Sequence, residues 1–142
     1  MISYLPLGVA VLLLAACAVA DVRKRIIPHI LVIGLVVTSA ANSILNGGWV
    51  VLGWKESLVV LAAGFLLYFA KCMGAGDVKM FAAVALWFPG RLLPLAFWIS
   101  LCGGALAIGY AIKRWKTGQA VTLPYGLSIA TGSIICFALT RM

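Results

Sequence analysis

Residues 71–79 read KCMGAGDVK, a polar break between two apolar runs. The break holds Asp77, one of only three acidic residues in the chain, the others being Asp21 and Glu56. Around it the composition is oily. Of the 142 residues, 65% are hydrophobic, and the mean hydropathy is +1.17. Soluble domains are about 45–50% apolar, and a soluble fold of this size cannot hide so much apolar surface. A helix needs about 20 mostly apolar residues to cross a bilayer, and six such segments use most of the chain. The break at 71–79 therefore reads as a loop between two membrane helices. The composition predicts an all-α integral membrane protein, a six-helix bundle forming one domain over residues 1–142.

Working outward, the helices are expected at about Tyr4–Ala20, Pro28–Leu45, Glu56–Ala70, Val78–Phe88, Leu92–Ile112 and Leu123–Thr140. Pro28 suits a first helical turn. Asn46-Gly47-Gly48 is a turn, and Trp49 and Trp54 suit a membrane interface. Pro89-Gly90-Arg91 ends the fourth helix, which is the shortest. The first apolar run ends in Ala18-Val19-Ala20, like a signal-peptidase site. A signal peptide carries positive charge before its apolar core, whereas here the basic cluster DVRKR (21–25) comes after it. The run is expected to stay as the first helix.

The formal charge of +8 would suggest nucleic acid in a soluble protein. Here the bases cluster between apolar runs, the pattern that orients a membrane protein among anionic lipids, and no nucleic-acid partner is expected. Arg23, Lys24, Arg25, Lys71, Lys79, Lys113, Arg114 and Lys116 put eight bases on one side. Lys55, Arg91 and Arg141 put three on the other. This asymmetry predicts both termini outside and the eight-base side in the cytoplasm. The four cysteines form no CxxC pair, and the single histidine belongs to no metal-ligand pattern. No metal or cofactor is expected.

The same topology places Asp21, at the end of the first helix, and Asp77, at the start of the fourth, at one membrane depth. Glu56 falls on the opposite side. Ionisable groups at the edge of the hydrocarbon are costly and mark candidate sites. Taken singly, Asp77 suits a helix N-cap, and Asp21 suits a solvated loop paired with Arg23 or Arg25. Taken together, two facing carboxylates can perform aspartic proteolysis, one accepting a proton from water while the other, protonated, polarises a carbonyl. Asp77 sits at a positive helix N-terminus and Asp21 at a negative helix C-terminus, so the shared proton is expected more often on Asp21. Gly74 and Gly76 leave room for a peptide backbone to approach Asp77, and a side chain at Gly76 is expected to block that path. GAGDVK matches neither the P-loop nor the dinucleotide-binding pattern.

GAGDVK resembles the GxGD motif of membrane-embedded aspartic peptidases. DVRKRIIPHIL (21–31) followed by GAGDVKMFAAV (74–84) is similar to the type IV prepilin peptidase family. TLPYGLSIATG (122–132), with Pro124, Tyr125 and Gly126, resembles that family's third recurrent segment. The resemblance covers residues 21–132. It implies cleavage of a short basic leader from prepilins or pseudopilins at the cytoplasmic face of the bacterial inner membrane, in the service of pilus assembly or secretion machinery. It implies that Asp21 and Asp77 are the catalytic aspartates, with Gly74, Gly76, Lys79, Pro124, Tyr125 and Gly126 as motif positions. The chain resembles the compact Flp/Tad-pilus branch, without the cysteine-paired cytoplasmic domain of the longer bifunctional members. Where the family commonly has Pro-Asn or Pro-Asp, this sequence has Pro28-His29. His29 is a candidate auxiliary residue, and its plainer reading is a polar residue at a helix start. The rival functions are a catalytically inactive scaffold of the same fold and a small proton-coupled transporter, whose acids would sit near the midplane.

Overall fold

A computed structural model describes residues 5–24, 26–46, 53–71, 73–117, 123 and 125–140. Six helices account for nearly all of them: α1 (Leu5–Lys24), α2 (His29–Leu45), α3 (Trp54–Phe69), α4 (Ala75–Ala85), α5 (Leu92–Thr117) and α6 (Tyr125–Thr140). Arg25, the glycines of the 46–48 turn, Trp49, Cys72, Pro124 and Arg141 lie outside the described residues.

Two boundaries differ from the sequence reading in a way that matters for function. α1 continues a full turn past Ala20 and carries Asp21 inside it. Nothing in Asp-Val-Arg-Lys breaks a helix. The helix ends at Lys24, and residues 26–28 are not helical; Pro28 disfavours helical backbone in the residue before it and is itself extended (φ −62°, ψ 130°) as the N-cap of α2. α4 starts three residues earlier than expected, because Gly74 is its N-cap. It ends at Ala85 in tight turns, Trp87 N–H to Val84 O (2.9 Å) and Phe88 N–H to Ala85 O (3.1 Å), ahead of Pro89. Eleven residues make about 16 Å of helix, short of the roughly 30 Å hydrocarbon core.

The short helix lies in the middle of the bundle. Val78, Met80, Ala82, Ala83, Val84 and Ala85 are all buried, and α4 packs on α2, α3 and α6. α1 packs on α2 and α6, and α5 packs on α6. Trp87 donates its indole N–H to the Leu35 carbonyl of α2 (3.2 Å) and meets Phe137 of α6 edge-on. α3 and α4 run antiparallel. Gly53 N–H reaches Leu86 O, and Gly90 N–H donates to the Glu56 carboxylate at 2.7 Å. The start of α3 is thus tied to the end of α4, and Glu56 lies at the opposite end of α4 from Asp77.

The outer surface is apolar. Leu12, Ile30, Leu66 and Leu93 are each more than 70% exposed. α1 and α5 are long and apolar enough to cross a bilayer, and α2 and α6 are shorter apolar helices. Such an architecture, apolar outside as well as inside, fits a helical membrane protein.

Candidate active site

Asp21 is 6% exposed. An ionisable side chain so buried needs a partner. Its Oδ2 accepts the backbone N–H of Gly126 at 2.8 Å, across 105 residues of sequence. Gly126 belongs to the first turn of α6, so the carboxylate lies at a helix N-terminus, where unpaired N–H groups favour an anion. Sequence alone suggests a solvated loop for Asp21 and the field of the α1 C-terminus only. The tertiary structure buries it and adds the opposing field of α6.

Asp77 occupies the third position of α4, after the N-cap Gly74. Its carboxylate reaches back to accept the Gly74 backbone N–H, as the acidic member of a capping box does. Asp77 is therefore not itself the N-cap. The turn delivering the chain to Gly74 depends on Lys71, which takes a left-handed φ of 58° just beyond α3, with its N–H on Tyr68 O at 2.9 Å. A left-handed residue closes many helices in this way.

The fold brings the two aspartates together. They come from distant segments, yet lie near enough for their charges to interact. Ile27, buried after α1, packs beside Gly76 and so ties the DVRKRIIP segment to GAGD. Three glycines stand at the site, and their surroundings differ. A Cβ on Gly126 would come within 2.8–3.0 Å of three atoms of the Asp21 side chain, and one on Gly74 within 2.9 Å of Asp77 Oδ2. A Cβ on Gly76 would meet only Ile27, at an ordinary 3.6–3.9 Å. Within the folded chain the close contacts thus fall on Gly74 and Gly126, while Gly76 has ordinary space beside it.

Of the other motif residues, Tyr125 is partly exposed and lines a cleft between α3 and α5. Lys79 and His29 line a separate groove among α2, α3 and α4. Among the described residues no group of three His, Cys, Asp or Glu side chains comes together as a metal site. The role of Gly126 as donor to Asp21 is not legible in the sequence. Tyr125-Gly126 is marked there only by resemblance, and nothing local connects position 126 to position 21.

A buried carboxylate and a half-buried one, each held by a backbone N–H and placed at one end of a six-helix bundle, make a candidate carboxylate-pair site. The chain belongs to the type IV leader peptidase family, whose model matches residues 8–109, a span containing both aspartates. It is similar to the prepilin leader peptidase/N-methyltransferase of Bacillus subtilis (strain 168), with 29% identity over 138 residues, covering 93% of this chain and 54% of that protein. It is also similar to the protein of the same name from Aeromonas hydrophila, with 30% identity over 129 residues, covering 82% of this chain and 43% of that one. The chain thus spans about half the length of the curated relatives it matches. No solved structure matches it.

Proposed function

We propose that this chain is an aspartic endopeptidase that removes the leader of type IV prepilins at the cytoplasmic face of the bacterial inner membrane. The observation carrying the proposal is the convergence of Asp21 and Asp77 on one site. Family membership and the names of the relatives support it. The substrate is given at the level of prepilins, the level at which those relatives are named.

The chemistry follows from the pair. Two neighbouring carboxylates hold one proton between them more readily than none, since both cannot comfortably ionise together. The ionised member takes a proton from water, and the water oxygen attacks the scissile carbonyl. The protonated member gives its proton to the carbonyl oxygen. Collapse of the tetrahedral intermediate returns a proton to the leaving amine, and the pair is ready again. The N–H of Gly126 and the N–H of Gly74 hold the carboxylates in place, so their geometry is set before substrate arrives. We further propose six membrane spans with both termini outside, and contacts with pilus assembly or secretion machinery. Both aspartates lie within one turn of a helix end, which disfavours a proton relay through the midplane.

Asp21→Asn and Asp77→Asn test the reading. Asn keeps the shape and cannot exchange a proton. Each single variant should lose leader cleavage, scored by the mass shift of a prepilin incubated with purified protein in detergent. Because the residues act as a unit, the double variant should be barely worse than either single one. Wild-type cleavage by Asp21→Asn would overturn the pair.

A further inference from the structure

α3 and α5 flank the bundle on the same side without packing along each other, and between them lies an apolar cleft of about 520 Å³. Its floor comes from α4 and α6, including Phe81 and Ile129. Along α5 its lining runs from Leu92 to Ala107, about 22 Å of helix. Among the described residues no charged side chain lines it. Its walls are largely small residues, with Ala63 on α3 facing Ala96, Gly103 and Gly104 on α5. In lipid, small residues let a second helix approach closely. At one end the lining includes Met73 and Tyr125, the residues immediately before Gly74 and Gly126, which hold Asp77 and Asp21.

From this continuity we infer that the α3–α5 cleft docks an apolar helix of the substrate along about 22 Å of its length, and delivers the chain at that helix's end to the carboxylate pair. The inference rests on the peptidase reading and adds how the substrate is selected. An uncharged cleft excludes the basic leader on desolvation grounds. The docked helix is therefore the apolar segment beyond the scissile bond, with the leader outside the bilayer. Gly104 is part of the fit. A Cβ there meets nothing within 4 Å, so a larger residue occupies the cleft rather than disturbing the bundle.

The test compares two substrates. One is a precursor with its apolar segment, inserted in proteoliposomes. The other is a soluble peptide with the same residues around the scissile bond and no apolar segment. For wild-type protein, kcat/KM for the precursor should exceed that for the peptide. Gly104→Leu, and independently Ala63→Leu from the opposite wall, should lower the precursor-to-peptide ratio of kcat/KM at least tenfold, mainly through KM. Ala105→Leu adds the same bulk to an exposed position outside the lining and should leave the ratio at its wild-type value. An unchanged ratio in both cleft variants overturns the inference, as does an equal loss on both substrates, the result expected if the cleft holds only lipid. If wild-type protein cleaves neither substrate, the peptidase reading itself fails.

Discussion

Asp21 and Gly126 form the most constrained contact of the site. The carboxylate is buried, its Oδ2 is 2.8 Å from the Gly126 nitrogen, and there is no space on Gly126 for a Cβ. Gly126→Ala should push Asp21 aside by a fraction of an ångström to an ångström, and misplacement on that scale costs about 10²-fold. The expected outcome is a loss of kcat of that order with normal membrane insertion, measured on purified protein. Gly74 and Gly76 should separate in the same assay. Gly74→Ala places a methyl against Asp77 Oδ2 and should lower activity. Gly76→Ala makes only ordinary contact with Ile27 and should be far milder. Equal losses at the two positions would support the substrate-path role expected for Gly76 from the sequence.

At the scale of the elements, glycines set how closely helices approach. A Cβ on Gly132 of α6 would lie 2.6 Å from the Ile99 Cα and 2.7 Å from its nitrogen, both backbone atoms of α5. Backbone cannot swing away as a side chain can, so Gly132→Ala has to separate the helices. Overpacking of this kind costs roughly 1–3 kcal/mol. A lowered unfolding temperature in detergent should report it. Cleavage should fall as well, because α6 carries Gly126, the donor to Asp21. Gly64 of α3 faces a different neighbour, the Val78 side chain, whose Cγ1 would stand 2.5 Å from a Cβ on that glycine. Glycines in an apolar helix look alike in the sequence. Only their neighbours show that Gly132 is essential to an interface while Gly104 borders open space.

The whole molecule has two unlike ends. Asp21 and Asp77 lie at one, with the Lys71 turn and Arg23 and Lys24. α5 runs antiparallel to α6, with Gly103 beside Ser128 and Ile99 beside Gly132. Its basic C-terminus, Lys113 to Lys116, therefore projects from that same end. Lys55 and Arg91 lie with Glu56 and Gly90 at the other. The charge asymmetry follows the fold. Reporter fusions after Arg25, Lys71 and Lys116 should all report the cytoplasm. A periplasmic signal at Lys71 would overturn the six-span topology.

Hydropathy and punctuation alone determined the class of fold, the number of helices and most of their limits. Burial in lipid imposes long apolar runs, and Pro28, Asn46 and Pro89 interrupt them where backbone hydrogen bonding has to change. The candidacy of Asp21 and Asp77 was equally legible, since carboxylates are rare and costly in such a chain. The tertiary structure decided the rest. α1 runs on through Asp21 to Lys24 because nothing in Asp-Val-Arg-Lys breaks the helical ladder. α4 starts at Ala75, three residues ahead of the expected Val78, because Gly74 caps it and its N–H is held by Asp77. The donor to Asp21, the close contacts at Gly74 and Gly126, and the α3–α5 cleft all depend on which helices approach and at what distance. Those are contacts between segments far apart in the chain, and a one-dimensional pattern of apolar and polar residues carries no term for them.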